Sequence, residues 1–202
     1  PRLRVDGGGA VIDLAGAMTR RGIIFTAPSV LAMRAGRQDV TRRLSERAPC
    51  AEGDLVWARE GWRVSRWHDL TPPRVLALSE SPVAIDFLAP PMPDTDAPGW
   101  EWGRVRSPLH LPFALSRPEL HRRCFSIRRE PLGEVTDTDA IREGVYEVTL
   151  PVGALGHVWT LDAEHWSHES PRAAYFAALE ALHGHPIPLD TLVWRVELGM
   201  LE

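Results

Sequence analysis

The stretch "AGRQDVTRR" places Arg37, Arg42 and Arg43 around Thr41, with Arg34 just upstream. Guanidinium groups fork onto phosphate or carboxylate oxygens, and a helix C-terminus favours cations. The segment therefore reads either as an anion-binding wall or as a solvated basic face, and Asp39 and Glu46 nearby offer partial neutralisation. Thr41 carries a hydroxyl that can act as a nucleophile or hydrogen-bond donor once a base or cation stands beside it. Glu143, at the end of a short helical segment, can serve as a general acid or base in a dry site. Spacing alone does not join Glu143 to Thr41. The histidine pairs of "HWSH" (His165, His168) and "HGH" (His183, His185) lack the further ligands of a zinc site, so no metal is expected. The triple glycine Gly7 to Gly9 lacks the lysine and the strand-to-helix context of a phosphate-cradling loop, and no serine sits in a nucleophile elbow. No cofactor is expected.

Stepping outward, "GIIFT" (Gly22 to Thr26) has the β-branched and aromatic character of a buried strand. "APSVLAMRAG" reads as a helix, with Pro28 in its first turn, Leu31 and Met33 inside and Gly36 at its end. "TRRL", "CAEGDLVWARE" after its Gly53-Asp54 turn, "RVLALSE" and "VAIDFLA" read as further short strands, a spacing that suggests a barrel or a tightly curled sheet. Residues 90–112 change to Pro, Asp, Gly and Trp and read as a long surface loop. "HRRCFSIRREPLGEV" fits a half-exposed strand, and "TDTDAIREG" a short helix capped by Thr136 or Thr138 and stopped at Gly144. "SPRAAYFAALEALHG" is the clearest helix: Ser170 caps it, Pro171 opens it, Phe176, Leu179 and Leu182 share a face, and Gly184 ends it. "TLVWRVEL" reads as a closing strand with one apolar face.

The charge of -4 and pI near 6.1 argue against coating nucleic acid by bulk electrostatics, so a polyanion would have to meet a local patch. No apolar run approaches the roughly 18 residues needed to span a bilayer, and no signal-like block stands at the start; a cytoplasmic protein without membrane attachment is expected. Cys50 and Cys124 read as reduced, partly buried thiols. Most of the eight tryptophans are expected in the core. Residues 1–20 read as a loose arm and 21–202 as one domain, with the 90–112 loop and an insertion at 146–170.

The run "RGIIFTAPSVLAMRAGRQDVTRRL", followed by "GDLVWARE", "SPLHLPFALSR", "EVTDTDAIREGV" and "VWRVEL", resembles ASCH-domain proteins, in particular the larger version common in phages and prophages. The likeness covers Arg21 to about Val145 and returns for the last helix and strand. It implies an α+β, PUA-like fold: a small curled β-barrel with flanking helices and a cleft suited to RNA or a modified nucleoside. The loop from Gln38 to Arg43 would line that cleft and the helix carrying Glu143 would close it. Small bacterial members hydrolyse N4-acetylcytidine with a lysine, a threonine three residues later and a glutamate. Their threonine matches Thr41, the glutamate Glu143, and an arginine of the loop Arg43. The lysine position holds Gln38, whose amide gives only neutral hydrogen bonds. The resemblance thus supports a nucleoside-binding or RNA-binding protein, with Arg37, Arg42, Arg43 and a stacking tryptophan, Trp57, on the ligand. It also allows an amidohydrolase weakened at Gln38, and a phage-associated interaction or assembly protein.

Overall fold

The structure is a computed structural model that describes residues 11–12, 19–79, 83–87, 102–149, 157–161 and 168–201. Its strands are β1 (Val11–Ile12), β2 (Thr19–Ile24), β3 (Val40–Arg43), β4 (Leu55–Arg59), β5 (Trp62–Val64), β6 (Ile85–Phe87), β7 (His121–Pro131), β8 (Tyr146–Thr149), β9 (His157–Thr160) and β10 (Leu192–Met200). The helices are α1 (Ala27–Arg34), α2 (Pro73–Leu76), α3 (Asp137–Arg142) and α4 (Pro171–His183). Six strands form one sheet in the order β1-β2-β4-β7-β10-β3, while β5-β6 and β8-β9 are separate two-stranded ribbons. Only β2 and β4 run parallel. The architecture is therefore mixed α+β, and among the described residues the ladder does not close into a barrel. Nor is any helix there long and apolar enough to cross a membrane.

Local chemistry accounts for most elements. Pro28 fixes the first turn of α1, and Gly36 leaves it at φ +69. Val30, Ala32 and Met33 are its buried residues, with Leu31 only half-buried. Against β2, β4, β7 and β10 they form a core with Phe25, Val56, Leu120 and Val196. Cys50 and Cys124 lie in that core as free thiols, 3.4 Å apart, and are buried rather than partly buried. The hydrogen bond that Cys50 donates to Cys124, together with burial, pushes the Cys50 thiol above its ordinary pKa. A second cluster, Leu132, Val135, Ala140, Val145, Ala174, Tyr175 and Val193, joins α3 and α4 to the sheet.

Several expectations need correction. "RVLALSE" is not a strand: Pro72 stands at the N-cap with ψ 142, Pro73 presets the φ of the first turn of α2, and Val75 and Leu78 stay exposed. Trp62–Val64 is a strand instead, paired with β6. The closing strand has two packed faces rather than one, because Val193 and Arg195 are buried opposite Val196 and Leu198. On α4 the buried residues are Pro171, Ala174 and Tyr175, whereas Leu182 is exposed. Of the 90–112 loop, residues 90–101 lie outside the described residues. The remainder folds in through bridges from Trp102 to Ser65 and from Arg106 to Trp62, with Leu111 buried. Most of the 1–20 arm also lies outside, as do 150–156 and 162–167 of the 146–170 insertion, which otherwise supplies β8 and β9.

Candidate functional site

The site is built where β3, the sheet edge paired only with β10 among the described residues, meets α3 and α4. Thr136 accepts from the Asp139 backbone while Asp139 answers to Thr136, a capping box that fixes the start of α3. At its other end Gly144 adopts φ +103, a left-handed conformation that turns the chain sharply after Glu143. The residues before β3 are zipped onto this turn. Gln38 forms a backbone bridge with Glu143, the Asp39 amide donates to the Arg142 carbonyl at 3.1 Å, and Arg142 forks onto the Asp39 carboxylate at 2.9 and 3.0 Å. Glu143 and Thr41, far apart in sequence, are thereby brought to one place.

That place is a cavity of about 540 Å³. Thr41, Arg42, Arg43, Glu143 and Tyr175 line it together with Thr26, Ser29 and His168, and Pro28, Leu161, Ala174, Ala178 and Leu179 are among its apolar walls. Glu143 is buried, and its carboxylate meets the Arg42 guanidinium at 3.0 Å. Burial pushes its pKa up to about 7, with Arg42 and Arg43 holding it from rising further. Tyr175 is also buried and lines the same cavity; burial and then the Glu143 carboxylate raise the phenol well above its ordinary value.

The three arginines of the opening stretch and Arg34 upstream of it have separate fates. Arg42 is held by Glu130 at 2.6 Å, Glu143 at 3.0 Å and Asp139 at 3.5 Å, and these carboxylates outweigh the burial that works to lower its pKa. Arg195 extends this network to Asp139 at 3.1 Å and to Glu197. Arg37 donates to the Gly144 carbonyl at 2.8 Å and lies over the Tyr146 ring, so it braces the turn and does not line the cavity. Arg34 stays half-buried at the end of α1. Among the described residues, Arg43 is the arginine that enters the cavity without a carboxylate within ion-pair distance. Its guanidinium stacks on Phe25 at 4.6 Å, its buried Nε has no hydrogen-bond partner, and burial lowers its pKa.

Gln38 and Trp57 do not join them. The Gln38 side chain is buried, donates to the Val40 carbonyl at 3.1 Å and, among the described residues, leaves its Oε1 without a partner; it does not line the cavity. Trp57 is buried among β2, β4 and β7, edge-on to Phe113 at 5.4 Å, so it is a core residue and not a stacking platform. The sequence reading missed Tyr175 and the α4 residues Ala174, Ala177, Ala178 and Ala181, which line the cavity, weighed His168 only as a metal ligand, and missed the carboxylate of Glu130 that holds Arg42. Tyr175 carried a signal, as a lone phenol in the alanine-rich stretch of a capped helix. Glu130 carried none, because its partner is far away in sequence. Of the histidine pairs, His165 lies outside the described residues, and among the described residues no cluster of metal-ligating side chains occurs.

Among the described residues this arrangement brings to one largely apolar cavity a guanidinium without a carboxylate in ion-pair distance, Arg43, a carboxyl that exchanges its proton near neutral pH, Glu143, and the Thr41 hydroxyl, with Thr26, Ser29, His168 and Tyr175 as further polar groups in the lining. It suits a compact ligand with a hydrogen-bonding edge and a flat or apolar body better than a run of phosphates. No protein-family model, curated protein or solved structure matches the chain.

Proposed function

We propose that the chain is an ASCH-type, PUA-like protein whose cavity between β3, α3 and α4 holds one modified nucleoside or one unpaired RNA base. The observation that carries this reading is the convergence of Thr41, Arg43 and Glu143 on a single cavity of about 540 Å³, large enough for a nucleoside. Arg43 supplies a donor to a ring carbonyl. Glu143 donates to a ring nitrogen when protonated and accepts from an exocyclic amine when ionised. The α4 alanines and Pro28 leave a smooth apolar slot for the base plane. Sequence-specific RNA recognition commonly splays out single bases in this way. With Arg37 and Arg42 already bonded within the protein, long contact with a nucleic-acid backbone is not part of the reading.

The test is a tryptophan-fluorescence titration at low salt with cytidine, N4-acetylcytidine, uridine, adenosine and a short single-stranded RNA. Saturable binding of at least one is expected, weakened roughly tenfold or more in Arg43→Leu. Absence of binding to all of them, or equal binding by the variant, overturns the reading.

A second reading is an amidohydrolase acting on N4-acylated cytidine, favoured by a carboxyl with a pKa near 7 that shares the cavity with Thr41. Glu143 would move the proton while Thr41 attacks or positions water. Gln38 supplies no charge, and its amide is directed at Val40. Acetate release from N4-acetylcytidine, lost in Thr41→Ala and in Glu143→Ala, is the expected outcome. No turnover in the native chain, and none in Gln38→Lys, rejects it.

A further inference from the structure

We propose that the α1 end of the cavity is an oxyanion subsite, so that the ligand enters as a nucleotide and seats one phosphate monoester between the first turn of α1 and Arg43. The inference rests on the reading above only for the group to which the phosphate is attached. Of α1, only Pro28 and Ser29 in the first turn line the cavity, beside the N-cap residue Thr26, so the helix meets the cavity with its N-terminus. The chain itself leaves this end open. The Thr26 side chain makes no capping hydrogen bond to the backbone, the first turn holds no acid, and the first bond of the helix runs from the Val30 amide to the Thr26 carbonyl. Among the described residues the Ser29 amide therefore has no acceptor. The Thr26 hydroxyl donates to Ser29 Oγ at 3.2 Å, which leaves the Ser29 hydroxyl its own proton to donate to a ligand. A first turn left open in this way favours an anion, through its unbonded amides and through the aligned peptide dipoles.

Arg43 points to the same ligand independently. It lines the cavity with its guanidinium over the Phe25 ring, and Phe25 is the residue before the Thr26 cap, so the charge stands beside the chain entering α1. Its Nε is closed off from solvent and, among the described residues, has no hydrogen-bond partner. A desolvated guanidinium is stabilised by a bonded counter-charge, and the neighbouring carboxylates are committed elsewhere. Glu130 and Asp139 pair with Arg42 and Arg195, and Glu143 pairs with Arg42 and keeps its proton up to about pH 7. An incoming oxyanion supplies the charge that Arg43 lacks. Phosphate suits the donors better than carboxylate, because they approach from two elements, the Arg43 fork from β3 and the Ser29 amide and hydroxyl from α1. The three terminal oxygens of a phosphate monoester accept from both sides, whereas a carboxylate offers two in one plane. The remaining N–H donors of Arg43 stay available to a ring carbonyl.

The test is calorimetric titration of the full chain, at constant ionic strength, with cytidine, uridine and adenosine, with their 5′-monophosphates, and with inorganic phosphate. The readout is the affinity ratio of each 5′-monophosphate to its nucleoside. For at least one base the ratio is expected to be about ten or more, with inorganic phosphate competing against that monophosphate. Ser29→Asp sets a carboxylate in the first turn, where it suits the helix dipole and repels a phosphate, so the fold is retained and the ratio should fall to about one. The neutral control Ser29→Asn should keep the ratio well above that of Ser29→Asp. Nucleosides that bind while their monophosphates bind no tighter overturn the subsite and leave the nucleoside reading standing, as does a ratio unchanged by Ser29→Asp. Monophosphates or inorganic phosphate that bind with sensitivity to Ser29→Asp while no nucleoside binds uphold the subsite and remove the nucleoside reading. Silence from all of the probes overturns both.

Discussion

Replacing Glu143 by glutamine isolates the electrostatic character of the cavity. In the native state the carboxyl keeps its proton up to about pH 7, because burial opposes ionisation more than Arg42 and Arg43 favour it. In the unfolded chain it ionises near the ordinary value of 4.5. Between these limits the folded state binds more protons than the unfolded state, so stability falls as pH rises from about 4.5 to 7 and stays lower above it. At 1.36 kcal/mol per pH unit the loss amounts to about 3 kcal/mol. Glutamine keeps the shape and stays neutral, so the variant should lack this slope. Urea denaturation of both proteins from pH 4.5 to 8.5 should show the stability difference, variant minus native, growing by about 3 kcal/mol across the range. All other titrating groups are common to both and cancel. A difference that stays flat within about 0.5 kcal/mol would mean that Glu143 is solvated or fully paired, and the assignment of an acid/base near neutrality would fail.

Four further outcomes follow from the framework around the cavity and the helix ends. Arg42→Met strands the buried carboxylates of Glu130 and Glu143 and should destabilise by about 3–5 kcal/mol in urea unfolding, with partial recovery when Glu143→Gln is added. Gly144→Ala forces φ +103 on a residue whose new methyl would lie 2.6 Å from the Ala32 Cβ; calorimetry should give a loss of about 2 kcal/mol or more. At Gly184, which is left-handed but open, the same change should cost only about 1 kcal/mol. Thr136→Ala removes the capping box of α3 and should cost about 1 kcal/mol in urea unfolding.

The local signals in the sequence were legible where one residue decides a conformation. Pro28 and Gly36 bounded α1, Thr136 and Gly144 bounded α3, and Ser170, Pro171 and Gly184 bounded α4. Pro72 and Pro73 were equally decisive for α2, but the Val and Leu residues behind them mimicked a strand. The site was legible only in part, because its side chains are assigned by pairings that cross the sheet. Arg42 lies beside Arg43 in sequence, yet the pleat of β3 turns it to the face that carries Glu130 and Arg195. Arg43 turns to Phe25 and the cavity. The helical period of α4 is correctly read as amphipathic, but its buried face centres on Ala174 and Tyr175, because small residues let the helix approach α3 and Glu143.

Alanine-methyl NMR of the full chain, titrated with the nucleoside panel, tests the cavity most directly. A saturable shift confined to the methyls that line the cavity, Ala174, Ala177, Ala178 and Ala181, is the predicted result, with the core methyls of Ala32 and Ala140 unmoved and the response lost in Arg43→Leu. Methyls that stay still with every nucleoside, or that shift only away from α4, would contradict a nucleoside site between β3, α3 and α4.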